Sequence, residues 1–330
     1  MNSDNPVLVT GGAGYIGSHV VIALREAGRG VVIVDDLSTG RREAVPDDVE
    51  LVVGDVADSG LVAGVLADHR VEYVMHFAGS IVVEESVSDP LKYYRNNTGA
   101  SRNFIESCVD FGVAGFVFSS TAAVYGIPGK VPVTEQSPVG PINPYGHSKL
   151  MTEQVLRDVT PVSNLRHAIL RNFNVAGADP AGRSGQVIED ATHLIKIACE
   201  VATGRRDVMS IFGTDYPTPD GTCIRDFIHV SDLADAHVRV LEWLAAGDRS
   251  ATFNCGYGRG YSVREVLEAM GEVAGGELTV KEAPRRAGDS PEIVADSSLL
   301  RRETGWTPRH DDLTLIVGSA LDWEKKSNPL

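Results

Sequence analysis

The run Val7-Leu8-Val9-Thr10 passes directly into Gly11-Gly12-Ala13-Gly14-Tyr15-Ile16-Gly17, and no other feature of the chain limits its fold as strongly. Four apolar or β-branched residues read as a short buried strand. Gly11, Gly14 and Gly17 then permit a tight turn, a close approach of backbone to a ligand, and a helix packed tightly against the strand. The N-terminus of that helix points free N–H groups and a positive dipole end at whatever the turn holds, which suits pyrophosphate. A second strand, 31–34, runs up to Asp35, whose carboxylate can accept both ribose hydroxyls of an adenosine. A 2′-phosphate would meet that carboxylate head-on, so the pattern favours NAD over NADP. Glycine turns alone are common; the strand before, the helix after and the acidic residue beyond give this one its meaning.

Four further stretches in the first third, 31–34, 51–53, 73–77 and 116–119, are short, apolar and rich in β-branched or aromatic residues, as buried strands are. Helical patterns at 18–27, 61–69 and 94–111 lie between them. Such alternation means βαβ units and a doubly wound parallel (Rossmann) sheet, with ligands at the carboxyl ends of the strands. The texture changes after Asn174: Ala176-Gly177-Ala178-Asp179-Pro180 and 214–221 read as loops, and helices at 188–203 and 262–273 are less regularly spaced by strands. The reading is an NAD-binding domain over 1–174, with a return segment at about 226–244, and a smaller α/β substrate lobe over 175–330.

At 330 residues the chain can bury a large core, and 43% apolar with 23% charged residues is ordinary for a globular enzyme. A formal net charge of −15 argues against nucleic acid or an anionic membrane as the main partner. A few local arginines can still hold an anionic small molecule. Cys108, Cys199, Cys223 and Cys255 show neither CxxC nor metal-like spacing, so no metal is expected and reduced cytoplasmic thiols are. No leader pattern and no membrane-length apolar run is visible.

Chemistry enters with Tyr145 and Lys149, in Asn143-Pro144-Tyr145-Gly146-His147-Ser148-Lys149. Any helix brings residues four apart together, so the pair is informative only beside a dinucleotide site. A free phenol, with a pKa near ~10, is too weak a base at neutral pH. A neighbouring ammonium and a positive nicotinamide both favour phenolate, which can take a proton from an alcohol as the ring takes its hydride. Phe116-Val117-Phe118 ends in Ser119, Ser120 and Thr121, and Thr121 can share the hydrogen bond to that alcohol. Phe77-Ala78-Gly79 presents small residues where a cofactor must pass. Asp55-Val56 fits either an adenine edge or the cap of the following helix. His76, on an apolar strand, reads as a satisfied core histidine.

These segments resemble the extended short-chain dehydrogenase/reductase superfamily and, within it, the UDP-glucose 4-epimerase family, over nearly the whole chain. The resemblance rests on 10–19, on Asp35-Asp36-Leu37-Ser38-Thr39-Gly40, on Asn96-Asn97 and on 119–126, followed by Tyr145 and Lys149. It continues through Leu170-Arg171-Asn172-Phe173-Asn174, Gly204-Arg205-Arg206-Asp207 and 211–230. It implies that Tyr145 is the base, that Lys149 lowers its pKa and holds the nicotinamide ribose, and that Thr121 orients the sugar hydroxyl. It adds Tyr15, Ile16, Asp36, Ser38, Thr39, Gly40, Asn97, Ser119 and Phe173 to the cofactor contacts. It assigns Asn174, His193, Phe212, Arg225, Arg286, Asp289 and Ile293 to the UDP-sugar. The implied reaction is oxidation at C4, rotation of the 4-keto sugar and reduction on its other face, with NAD retained and a homodimer packed through 94–111 and 146–157.

Three positions depart from the family pattern. Ile81 stands where many members have Lys, Asn172 where Tyr is usual, and Ile293 at a position that influences whether N-acetylated sugars fit. N-acetylhexosamine, uronate and pentose substrates therefore stay open beside glucose and galactose. A 4,6-dehydratase would carry Asp-Glu after the strand-end Thr, where this chain has Ala122 and Ala123. A non-catalytic NAD sensor would need neither the Tyr145/Lys149/Thr121 set nor the arginines.

Overall fold

The computed structural model describes residues 5–188, 192–286 and 289–328. The first half runs β1 (Val7–Thr10), α1 (Tyr15–Glu26), β2 (Val31–Asp35), β3 (Glu50–Val53), α2 (Ser59–Asp68), β4 (Tyr73–His76), α3 (Val83–Ser88), α4 (Pro90–Tyr93), α5 (Ala100–Asp110), β5 (Gly115–Thr121), α6 (Pro144–Val159) and β6 (Arg166–Asn172). It is followed by β7 (Asn174–Ala176), α7 (Leu194–Ala202), β8 (Met209–Phe212), β9 (Ile224–His229), α8 (Val230–Ala246), β10 (Ala251–Cys255), β11 (Gly260–Ser262), α9 (Val263–Ala274), β12 (Val280–Ala283), β13 (Glu292–Ile293), α10 (Ser298–Thr304) and α11 (Leu313–Ser327).

Among the described residues, seven strands form one parallel sheet in the order β10-β6-β5-β4-β1-β2-β3. The chain winds outward from β1 to β3, then crosses back to β4 and winds the other way. The crevice between the carboxyl ends of β1 and β4 is thus the switch point where doubly wound sheets bind ligands. Successive residues of each central strand face opposite layers. Val9, Ile33, Met75 and Val117 pack with Leu24, Leu241 and Phe253 on one side. Leu8, Val32, Val74 and Phe116 pack with Leu66, Phe104 and Leu156 on the other. With both faces covered, the strands read as continuous apolar runs. β3 is the exception: it is an edge strand, and Val53 is half exposed rather than buried.

The helix expected over 94–111 is interrupted. Tyr94–Gly99 forms a π-type turn between α4 and α5. Asn97 in that turn is buried, and its amide accepts from Ser80 N at 2.7 Å and donates to Ser80 O at 2.9 Å and Ser148 Oγ at 3.0 Å. The helix expected over 188–203 starts only at Leu194, because His193 keeps extended backbone as its N-cap; residues 189–191 of that stretch lie outside the described residues. α9 is bounded as the sequence suggests, by a Ser262/Glu265 capping box and by Gly275 in the left-handed region. The chain returns to the large sheet at α8, which packs with α1, and adds β10 at its edge beyond β6. Beyond that sheet, β9 pairs with β7, β11 and β13, and β8 pairs with β12. No described helix is long and apolar enough to cross a membrane.

α6 begins at Pro144 behind Asn143, whose side chain accepts from Gly146 N at 2.8 Å. Residues 145, 149 and 153 then fall on one face. Glu153, fully buried, accepts from Ser120 Oγ at 2.6 Å and from Arg171 at 2.7 and 3.1 Å, so β5 and β6 both grip this face. Arg171 continues to the Tyr125 hydroxyl at 2.9 Å, which donates to Asn254 at 2.6 Å. Removing one partner strands a buried charge. Glu153→Ala is expected to lower unfolding stability by about 3–5 kcal/mol in a denaturant titration. Arg157→Ala, which removes a third-exposed partner of the same carboxylate, should change it by less than about 1 kcal/mol. Equal losses in the two variants would contradict this ranking.

Candidate active site

A cavity of about 1080 Å³ opens at the carboxyl ends of β1, β2, β4, β5 and β6 and extends to β8, β9 and β13. Its floor is the glycine turn. Gly11 has φ +69°, and a Cβ there would lie 2.6 Å from Ala78 N; a Cβ on Gly17 would lie 2.1 Å from Gly11 O. The turn therefore closes onto β4 and onto the first turn of α1 only with glycine at both places. Gly14 is the N-cap of α1 and supplies no capping side chain, so none competes with a phosphate there. Tyr15 and Ile16 also line the cavity, with Tyr15 anchored by its hydroxyl to Gly177 O at 2.7 Å.

Asp35 is buried at the end of β2, accepting from Ala13 N and Leu37 N at 2.9 Å each. Burial raises its pKa, and those two bonds draw it back. Asp36, Ser38 and Thr39 line the cavity, but Gly40 does not. It packs behind, where a Cβ would approach Asp35 Oδ1 to 2.8 Å. Asp55 and Val56 lie on the wall, and the helix-cap alternative goes to another residue: Asp58 caps α2 through Gly60 N and Leu61 N. Phe77, Ala78 and Gly79 form the wall beyond β4. Asn97 is not on the wall; it holds Ser80 and α6 from behind. His76 is satisfied by Thr10 Oγ1 at 2.6 Å and Ser101 Oγ at 2.8 Å, and burial, with Lys149 nearby, lowers its pKa to about 3.

Tyr145, Lys149, Thr121 and Ser119 meet on one wall. Tyr145 is partly accessible from the cavity. Burial raises its phenol above the ordinary value, and the hydrogen bond with Thr121 draws it partway back. Lys149 Nζ donates to Ser119 O at 3.1 Å and lies 5.0 Å from the Phe118 ring centre. Burial lowers its pKa to about 8, with Glu153 opposing. Two residues to which the motif reading gives no role belong here. Glu153 continues the four-residue spacing of Tyr145 and Lys149, a signal present in the sequence. Asn172 lines the cavity and donates to Ser119 Oγ at 2.7 Å, while its Oδ1 is buried without a hydrogen-bond partner.

The remaining expected residues line the far half. Phe173 is buried beside Tyr125 and Ile293, and Asn174 is exposed at the start of β7. His193 receives a hydrogen bond at 3.0 Å from Gln186, and burial lowers its pKa. Arg225 approaches Asp289 at 3.7 Å; Arg286 Nε donates to Asp289 at 3.0 Å and its guanidinium lies 4.8 Å from the Phe212 ring centre. Ile293 is buried beside Tyr125, Val133 and Phe173, in register with Arg225. A glycine cradle with a free helix terminus and an acidic residue at the second strand fit a dinucleotide at one end. Two guanidiniums at the other end suit a diphosphate.

The sequence profile of the NAD dependent epimerase/dehydratase family matches residues 7–256. A UDP-glucose 4-epimerase of Azospirillum brasilense is 60% identical over 97% of this chain and 92% of its own. The crystal structure of UDP-glucose 4-epimerase from Brucella ovis in complex with NAD superimposes with a TM-score of 0.93 at 42% identity, covering 96% of this chain and 98% of that one. The Bifidobacterium longum UDP-glucose 4-epimerase, in complex with NAD+ and UDP, gives 0.92 at 37% identity over 98% and 99%. The chain belongs to the NAD dependent epimerase/dehydratase family.

Proposed function

We propose that the chain interconverts UDP-glucose and UDP-galactose by epimerisation at C4, with NAD held in the cavity throughout. The observation that supports this reading is that Tyr145, Lys149 and Thr121 line the same cavity as the glycine turn and the Arg225/Arg286 pair. The NAD half draws on 1–174 together with α8, and the UDP-sugar half on 175–330.

Bound NAD supplies reversible oxidation of the C4 alcohol, so that the sugar passes through a ketone. Gly11, Gly14 and Gly17 give the pyrophosphate its approach, and Asp35 takes the adenosine ribose. Tyr145 removes the proton from the C4 hydroxyl and returns it, while Thr121 donates or accepts beside it and fixes the alcohol's direction. Lys149 holds its ammonium below the phenol and reaches the ribose. Arg225 and Arg286 bind the diphosphate away from the reacting carbon. That remote binding lets the sugar turn about its link to the phosphate without loss of the complex.

We also infer a homodimer packed through α5 and α6, which expose Met151 and, just past α5, Phe111. Four buried, unpaired cysteines suit a reducing cytoplasm, and the reaction belongs to galactose metabolism.

Purified protein given UDP-glucose and no added nucleotide is expected to form UDP-galactose, and denaturation should release NAD. Absence of turnover, or recovery of NADP, would contradict the reading. Ile293 sets the sugar preference. Its β-branched side chain is stiff at χ1 and well packed, so an acetamido group meets a strain of about 1–3 kcal/mol. The parent should strongly prefer the plain hexoses by kcat/KM, and Ile293→Ser should narrow that preference about five- to a hundredfold. Equal efficiency on both sugar classes in the parent, unaltered by the substitution, removes Ile293 from this role.

A further inference from the structure

The reading above needs Arg286 as a cation for the diphosphate, yet two carboxylates already hold its guanidinium. Nε donates to Asp289 Oδ2 and Nη1 to Glu84 Oε1, each at 3.0 Å. Asp289 is a near neighbour on the same loop. Glu84 comes from the other half of the molecule, 202 residues away, in the first turn of α3. Both side chains line the cavity and reach solvent, with 40% of Arg286 and 56% of Glu84 exposed, so the contact spans the open rim.

We propose that Glu84 is a built-in competitor for the diphosphate: its carboxylate pairs with Arg286 and gives the guanidinium up when a nucleotide diphosphate arrives. The proposal rests on the reading of Arg286 as a diphosphate ligand. A guanidinium binds phosphate best through two parallel N–H groups, and Nη1 is one of the donors such a contact draws on. The contact with Glu84 directs the Arg286 side chain across the cleft. Exposure sets the size of the effect. A pair this open to water is weak, so it lowers nucleotide affinity by about two- to fivefold rather than preventing binding. A diphosphate carries more charge than one carboxylate and prevails. The same competition favours departure of the product, since Glu84 is ready to retake Arg286. Glu84 is therefore a positioning residue and makes no contact with the reacting carbon.

The adjacent residue supplies a control. Glu85 stands on the same turn, lines the same cavity and carries the same charge, but it is bound to Lys92 at 2.5 Å and to the Tyr93 hydroxyl at 2.9 Å. UDP affinity measured by calorimetry on the holoenzyme tests the proposal. Glu84→Gln should tighten UDP about two- to fivefold, Glu85→Gln should leave it unchanged, and Arg286→Gln should weaken it. In the Arg286→Gln background, Glu84→Gln should have no effect, because the group competed for is gone. The proposal is overturned if Glu84→Gln fails to tighten UDP. It is equally overturned if Glu85→Gln tightens UDP as much, or if the gain persists without Arg286, since either marks a general charge effect. Weakening by Arg286→Gln together with a neutral Glu84→Gln removes only the role of Glu84. An Arg286→Gln variant that binds UDP like the parent removes the diphosphate reading of Arg286 as well.

Discussion

The buried pair between Glu153 and Arg171 ties the helix that carries Tyr145 and Lys149 to the central sheet. α6 carries the phenol and the ammonium, and a helix held only by apolar contacts can roll or slide by a fraction of a turn. Glu153 removes that freedom, because its carboxylate must stay within reach of Ser120 on β5 and Arg171 on β6 at once. A buried carboxylate without these partners would be strongly disfavoured. Burial and fourfold spacing together therefore set where Tyr145 and Lys149 stand above the crevice.

The same burial shapes their acid–base behaviour. It disfavours the charged form of each group, raising the Tyr145 phenol and lowering the Lys149 ammonium to about 8. In the chain alone both groups move towards neutrality. Thr121 and Glu153 oppose that movement, Thr121 through a hydrogen bond to the phenol and Glu153 through its charge near the ammonium. With Tyr145 as the proposed base, positive charge entering the crevice would favour its phenolate, and an oxidised nicotinamide carries such a charge. The proposed proton abstraction would then depend on the oxidised cofactor.

Local patterns made much of this legible. Short apolar runs marked the central strands, the spacing of Gly11, Gly14 and Gly17 marked the turn, and Tyr145 with Lys149 marked the face of α6 that lines the cavity. What stayed hidden depends on residues far apart in the chain. Arg171 meets Glu153 only because β6 lies beside β5, and Glu84 meets Arg286 only because the two halves share a cleft. The π-type turn at Tyr94–Gly99 has no periodic signature, since it follows from the binding of Asn97 to Ser80. The cap of α2 falls to Asp58, which the motif reading does not single out, while that reading leaves Asp55 open between an adenine edge and the cap. The unpartnered Asn172 Oδ1 shows itself only once its neighbours are in place.

The claim that cofactor charge makes Tyr145 a base is tested most directly by titrating the phenol in the holoenzyme. Ultraviolet difference spectra against Tyr145→Phe isolate its ionisation, and the titration is run with the bound cofactor oxidised and again with it reduced. A midpoint well below the ordinary phenol value of about 10 is expected in the oxidised holoenzyme, moving up by a unit or more on reduction. The same midpoint in both states would contradict it.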